Sequence, residues 1–187
     1  MAHSALSTQI SRRNVLRASI GGLVAAAVPS AALGAIRPHD GARALSFNHL
    51  HTGETLSVPY WENGQYLSGA LAEIDNVLRD FRTGEKMRMD TGLLDFMFRL
   101  RAELQSDEAF HIISAYRSPK TNAGLAAKSR NVSRRSYHMD GMAIDIRLPG
   151  RRLHEVRRAA LNLKLGGVGY YRKSNFVHID TGRVRFW

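Results

Sequence analysis

Three side chains in the second half of the sequence are of types that bind zinc, and their spacing allows them to meet. His138 and Asp145 flank Gly141, so a loop can turn at the glycine and enter a strand that carries the aspartate. A second histidine, His178, lies in an apolar segment over 175–180 that is typical of a strand. Two imidazoles and one carboxylate leave a fourth position for water, which is the composition of a catalytic zinc site. We therefore predict one zinc ion per chain, bound by His138, Asp145 and His178.

The chemistry that such a site supports is hydrolysis. A zinc ion lowers the pKa of its bound water towards neutrality and polarises the carbonyl group under attack. The alternative is that both histidines are core residues with satisfied hydrogen bonds, which is the commoner situation in an apolar strand. The chain contains no cysteine, so disulfides and thiolate metal sites are excluded. Any metal must therefore be bound by His, Asp or Glu.

The elements that must position these side chains alternate between strands and helices. Segments 44–49 and 55–60 flank a turn and predict a hairpin. Apolar residues at helical spacing predict two amphipathic helices, over 67–81 and 93–104. We predict an α+β fold with an antiparallel sheet, formed largely by the second half of the chain, and flanking helices. The further predicted elements are strands at 110–114, 143–147, 168–170, 175–180 and 183–187, and helices at 120–128 and 153–163.

The first 35 residues differ in composition from the rest of the chain. They contain three arginines and no acidic residue, and an apolar run over 20–33 ends in small residues. This pattern predicts a signal peptide, residues 1–35, cleaved near residues 31–36. The pair Arg12-Arg13 resembles the twin-arginine motif, so we predict export by the twin-arginine machinery to the periplasm. A single domain is predicted over 36–187.

A membrane anchor is the alternative for the apolar run. The run is short for a bilayer span and is interrupted by Gly21, Gly22 and Pro29. We therefore predict no stable membrane span after processing.

The chain is strongly basic, with a formal net charge of +11, and loss of the signal peptide removes three of these charges. Basic residues cluster over 128–135 and 151–158, but no aromatic residues are interleaved there as base-stacking platforms would require. Nucleic acid is therefore not a predicted partner. For an exported protein, the charge favours an acidic polymer of the cell envelope.

Several motifs resemble one known family. The pattern S-x-H-x-x-G-x-A-x-D over 136–145 resembles the metal-binding signature of the zinc D-alanyl-D-alanine carboxypeptidase family, which includes the VanX dipeptidases and shares its fold with the Hedgehog signalling domain. Segments 50–54, 114–118, 166–171 and 175–182 resemble the murein endopeptidase K group of that family. The resemblance runs from about residue 45 to residue 187. It implies a zinc peptidase that hydrolyses peptide cross-links of peptidoglycan, in particular links between two diaminopimelate residues.

The resemblance also implies roles for residues beyond the histidines. His138, Asp145 and His178 match the family's zinc ligands. Arg117 matches a residue that binds a substrate carboxylate or the charge that develops on the scissile carbonyl, and its forked donors suit either task. The alternative for Arg117 is a salt bridge that stabilises its loop.

The general base is where the sequence departs from the family pattern. VanX-type enzymes place a glutamate three residues before the last histidine, and this chain has Asn175 there. Asp180 shares a strand face with His178 and lies within about 7 Å along the strand, so we predict Asp180 as the catalytic base. The alternative is that Asp180 orients His178.

Two other functions stay open at this point. The missing glutamate favours a catalytically silent, zinc-containing cell-wall-binding module of the same fold. A basic protein with structural His and Asp residues, bound to an anionic polymer, would contain no zinc.

Overall fold

The structure is a computed structural model that describes residues 41–129 and 132–187, and the predicted signal peptide lies outside them. The described residues form eight strands, β1 (Ala42–His49), β2 (Thr55–Glu62), β3 (Gln65–Tyr66), β4 (Phe110–Ser114), β5 (Ala143–Arg147), β6 (Gly167–Tyr171), β7 (Phe176–Asp180) and β8 (Arg185–Phe186). They also form four α-helices, α1 (Ser68–Val77), α2 (Thr91–Glu103), α3 (Pro119–Lys128) and α4 (Leu153–Leu163). Within the same ranges, no helix has the length and apolar character needed to cross a bilayer.

All eight strands belong to one sheet, in the order β3-β2-β1-β4-β5-β7-β6-β8. The α+β class is confirmed, but the sheet is mixed, because β1 pairs with β4 and β6 pairs with β8 in parallel. The prediction of an antiparallel sheet was therefore wrong for these two pairs. Apolar alternation shows which face of a strand is buried but not the direction of its neighbour. Half of the strands also precede residue 115, so the first half contributes more than predicted.

The core lies where the central strands meet the helices. Helix α2 buries Leu93, Leu94, Phe96, Met97 and Leu100, which recur at helical spacing and explain its amphipathic pattern. Its first turn is capped by Asp90, whose side chain accepts a hydrogen bond from the backbone N–H of Gly92 at 2.9 Å.

The two central strands present different residues to their two faces. In β5 and β7 the core receives Ile144, Ile146, Val177 and Ile179. Because side chains alternate along a strand, the residues between them point to the opposite face. Asp145 and His178 are directly paired across β5 and β7 in the sheet register. The same alternation that builds the core thus places two predicted ligands side by side on the other face.

Candidate metal centre

The third predicted ligand reaches this face from a short loop. His138 lies in a 3-10 turn, Tyr137–Asp140, which ends at Gly141 in the left-handed region with φ 68°. A side chain at Gly141 would place its Cβ 2.5 Å from the carbonyl oxygen of Arg88, so glycine is needed for space as well as for φ. The chain then enters β5, as the sequence predicts.

The structure brings the three predicted ligands together. Nε2 of His138 lies 3.3 Å and Nδ1 of His178 lies 2.8 Å from Oδ1 of Asp145. The two ring nitrogens are 3.2 Å apart, and all three residues are buried. Ligand atoms that bind zinc tetrahedrally at about 2.0–2.1 Å lie about 3.3 Å from one another. The observed separations therefore fit a single metal ion.

Hydrogen bonds on the far side of each ring select the tautomer that a metal requires. Nδ1 of His138 donates to the carbonyl oxygen of Ala115 at 2.6 Å. Nε2 of His178 donates to Oδ2 of Asp180 at 3.0 Å. The remaining ring nitrogens then direct their lone pairs towards the Asp145 carboxylate. Three converging acceptors repel one another unless a cation lies between them, so the donor set fits a bound metal.

The protonation states of two of these groups agree with metal binding. Burial lowers the pKa of His138, which favours its neutral form. Burial by itself would raise the pKa of Asp145, but the neighbouring His138 and His178 outweigh it and hold that pKa far below its usual range. A neutral imidazole and an ionised carboxylate are the forms that bind a metal.

His178 shows what competes with a metal at this point. Burial lowers its pKa, but the hydrogen bonds to Asp145 and Asp180 outweigh burial, so the pKa of His178 is raised overall. A proton is therefore the natural competitor of a metal cation at this site.

Arg117 contacts the carboxylate of this cluster. Its Nη2 lies 2.9 Å from Oδ2 of Asp145, and its Nε donates to Oγ of Ser114 at 3.0 Å. Its backbone N–H donates to the carbonyl oxygen of His138 at 3.1 Å, which ties the two loops together. The same side chain lines the cavity beside the cluster. Both roles weighed for Arg117, a salt bridge and a substrate contact, are thus compatible with its position.

Asp180 is fully buried behind His178 rather than beside the cavity. Besides the His178 ring, its carboxylate binds both terminal nitrogens of Arg185, at 2.9 and 2.7 Å, and the backbone N–H of Gly182 at 2.9 Å. Burial alone would raise the pKa of Asp180, but the hydrogen bonds from His178 and Arg185 outweigh it and lower that pKa well below its usual range. A carboxylate with a depressed pKa is a weak base. These contacts match the orienting role, and the role as a base stays a prediction.

A cavity of about 560 Å³ opens over the cluster and includes residues that the sequence reasoning missed. One wall is aromatic, since Tyr171 and Phe176 stack with ring centroids 4.5 Å apart. Nε1 of Trp187 donates to the hydroxyl of Tyr171 at 2.9 Å, and its ring lies 5.3 Å from the His178 ring. Gly169 makes room for this indole, because a Cβ there would lie 2.7 Å from it. The signal in the sequence was the pair of aromatic residues at the ends of β6 and β7.

Known proteins with similar sequences identify the family of this chain. Residues 37–187 match the family described as peptidoglycan L,D-endopeptidase MepK. The chain is 40% identical over 179 residues to the peptidoglycan L,D-endopeptidase MepK of Escherichia coli (strain K12), which covers 94% of this chain and 96% of that relative. The relative of the same name in Shigella flexneri gives the same identity and coverage. This chain therefore belongs to the peptidoglycan L,D-endopeptidase MepK family.

Proposed function

We propose that this protein is a zinc-dependent endopeptidase that hydrolyses peptide cross-links of peptidoglycan. The observation that carries the proposal is the cluster of His138, Asp145 and His178, whose ligand atoms lie 2.8–3.3 Å apart beneath an open cavity. The family and the names of its members support peptidoglycan as the substrate. Links between two diaminopimelate residues are the proposed target.

His138, Asp145 and His178 would bind the metal, and we propose zinc because two imidazoles and one carboxylate leave a position open for catalysis. Zinc, when bound, supplies a Lewis acid that polarises the scissile carbonyl and activates water. Asp180 accepts the Nε2 proton of His178 and so fixes the ring with Nδ1 towards the centre. Of the two roles open to Asp180, we propose this positioning role.

Arg117 is placed to act on the substrate as well as on Asp145. Its side chain is 11% exposed, and it borders the cavity next to the cluster. A guanidinium has five donors, and the contacts to Ser114 and Asp145 engage two of its nitrogens. The remaining donors can face the negative charge that develops on the carbonyl oxygen during attack.

The proposal is tested by digestion of purified peptidoglycan with the zinc-loaded mature protein. We expect cross-linked muropeptide dimers to be converted to monomers, as measured by liquid chromatography and mass spectrometry. A chelator should stop the conversion, and added zinc should restore it. Unchanged dimers, with correctly loaded zinc, would contradict the proposal.

A silent cell-wall-binding module is the second candidate, and one observation favours it. Among the described residues that line the cavity, Asp145 is the only one with a side-chain carboxylate, so the wall offers no second aspartate or glutamate as a base. This candidate predicts that the zinc-loaded protein binds peptidoglycan and leaves every cross-link intact. The digestion and a sedimentation assay on the same sample separate the two functions.

Replacing Arg117 by lysine tests its role in substrate binding. We expect kcat/KM for cross-linked muropeptides to fall by about tenfold to a hundredfold, because lysine keeps the charge but loses the forked geometry. Zinc content, measured by elemental analysis, should hold. Undiminished digestion by this variant would assign Arg117 to the salt bridge alone.

A peptidoglycan substrate places the enzyme outside the cytoplasm, and we propose that the twin-arginine machinery exports it. Replacing Arg12 and Arg13 by lysine should retain the precursor in the cytoplasm, because the machinery recognises the arginine pair as its targeting signal. Cell fractionation and immunoblotting of precursor and mature forms measure the effect. Normal processing of the double variant would instead indicate the general secretory route.

A further inference from the structure

The charged residues of the cavity wall are not equivalent. Among the described residues, three arginines line the cavity, and two of them already bind carboxylates of the protein. Arg117 is paired with Asp145, and Arg185 is paired with Asp180. Within residues 41–129 and 132–187, the guanidinium of Arg135 has no hydrogen-bond or ion-pair partner. Of these three described arginines, Arg135 is therefore the one whose guanidinium is available to a ligand.

The backbone of Arg135 is held in place although its side chain is exposed. The buried side chain of Asn122 donates to the carbonyl oxygens of Ser133 and Arg134, at 3.0 and 3.3 Å, and so ties the loop to α3. The hydroxyl of Ser133 accepts from the backbone N–H of Arg135 at 3.2 Å and donates to its carbonyl oxygen at 2.8 Å. A fixed backbone lowers the entropy cost of placing the guanidinium against a ligand.

The rest of the cavity indicates what kind of ligand would meet this cation. Tyr171, Phe176 and Trp187 offer an apolar surface, and the one side-chain carboxylate among the described lining residues, that of Asp145, belongs to the metal cluster. A ligand that combines an alkyl chain with a free carboxylate satisfies both surfaces. A diaminopimelate residue of a stem peptide has this combination.

We propose that Arg135 is a specificity-determining residue that binds a free diaminopimelate carboxylate beside the scissile cross-link. This inference rests on the proposed function and adds to it a preference for substrates with a free carboxylate over substrates with a carboxamide. A bidentate guanidinium contact requires two carboxylate oxygens, and an amidated side chain offers one oxygen and an NH₂ group that repels the cation. The enzyme therefore prefers carboxylate over carboxamide at this position.

The test compares Arg135→Gln with Arg134→Gln. Both arginines are exposed on the same loop, but Arg134 does not line the cavity, so the second variant controls for the loss of one positive charge. The substrates are a diaminopimelate-linked muropeptide dimer and the same dimer with its free diaminopimelate carboxylates amidated. On the carboxylate dimer we expect KM to rise by about tenfold in Arg135→Gln and by less than about twofold in Arg134→Gln. On the amidated dimer, Arg135→Gln and the parent should be equal.

A binding measurement keeps the inference separate from the proposed reaction. The zinc-loaded protein is titrated with an uncross-linked stem tetrapeptide, and tryptophan fluorescence is followed because Trp187 lies in the cavity. A dissociation constant that is larger in Arg135→Gln than in the parent, and unchanged in Arg134→Gln, supports the carboxylate contact even if the parent cleaves no dimer. If the parent does cleave, the same KM in Arg135→Gln and Arg134→Gln would overturn the inference. An equal rise of KM in Arg135→Gln on the carboxylate dimer and on the amidated dimer would also overturn it. Should Arg135→Gln fail to fold, Arg135→Lys and Arg134→Lys take their places, with a smaller KM increase expected in the first.

Discussion

Replacing His138, Asp145 or His178 by alanine should remove most of the zinc from the protein and abolish digestion of cross-linked muropeptides. A group that orients a metal ligand contributes about 10–100-fold to metal affinity, and a direct ligand contributes more. We therefore expect each variant to bind zinc more than about a hundredfold more weakly. Competition with a chromophoric chelator measures the affinity, and elemental analysis measures the content.

His154→Ala is the matched control for these variants, because His154 is exposed on α4 and outside the cluster. It should keep one zinc per chain and full activity. Parental zinc affinity in all three cluster variants would show that the ligand set is wrong. Zinc loss together with a lowered melting temperature would show in addition that the metal stabilises the fold.

Replacing Asp180 by asparagine should weaken zinc binding by about 10–100-fold, because the amide keeps an acceptor for His178 but loses the charge that polarises the ring. Activity should fall at limiting zinc and recover largely when zinc is in excess. Arg185, which is partly exposed, also loses the buried anion that pairs with it, so we expect a lower melting temperature. Zinc titration with activity and thermal unfolding as readouts measures all three effects.

The same variant tests the predicted role of Asp180 as a base. A base role predicts parental zinc affinity and a turnover that is lower by a factor on the order of a hundred or more, which excess zinc does not restore. Asp140→Asn is the matched control, since Asp140 is an exposed carboxylate in the His138 turn. If Asp140→Asn alone reduced turnover, the base would lie at that position.

Strong local patterns explain which elements could be predicted from the sequence. Two strands, Phe110–Ser114 and Ala143–Arg147, and the helix Leu153–Leu163 have the predicted bounds, because apolar residues recur within each at the spacing of its element. The helix predicted over 67–81 ends at Val77. Phe81 fits the helical spacing but instead stacks on His51, with ring centroids 4.2 Å apart. Spacing therefore identified an apolar residue without showing what it packs against.

In the site, too, the residues could be predicted better than their packing partners. The cluster of His138, Asp145 and His178 could be predicted because a chain without cysteine must bind a metal through His, Asp or Glu, and because these three residues match the motif of a known family. The ion pair between Asp180 and Arg185 could not be predicted, because a shared strand face fixes the distance between two residues to about 7 Å and not the direction of a carboxylate. Arg185 reaches Asp180 because β8 pairs in parallel with β6, on the edge of β6 opposite β7. No local sequence pattern encodes this pairing.

The register between β5 and β7 links metal loading to correct folding. Asp145 and His178 are direct partners in that pairing, and a slip by one residue would turn one of them into the apolar core while exposing an isoleucine or valine in its place. A slipped chain could then bring together at most two of the three ligand atoms. Zinc would therefore bind after the central strands have paired and would select the chains that paired correctly. With zinc in excess, the metal content of a preparation of the parent protein would thus report the fraction of molecules whose sheet is in register.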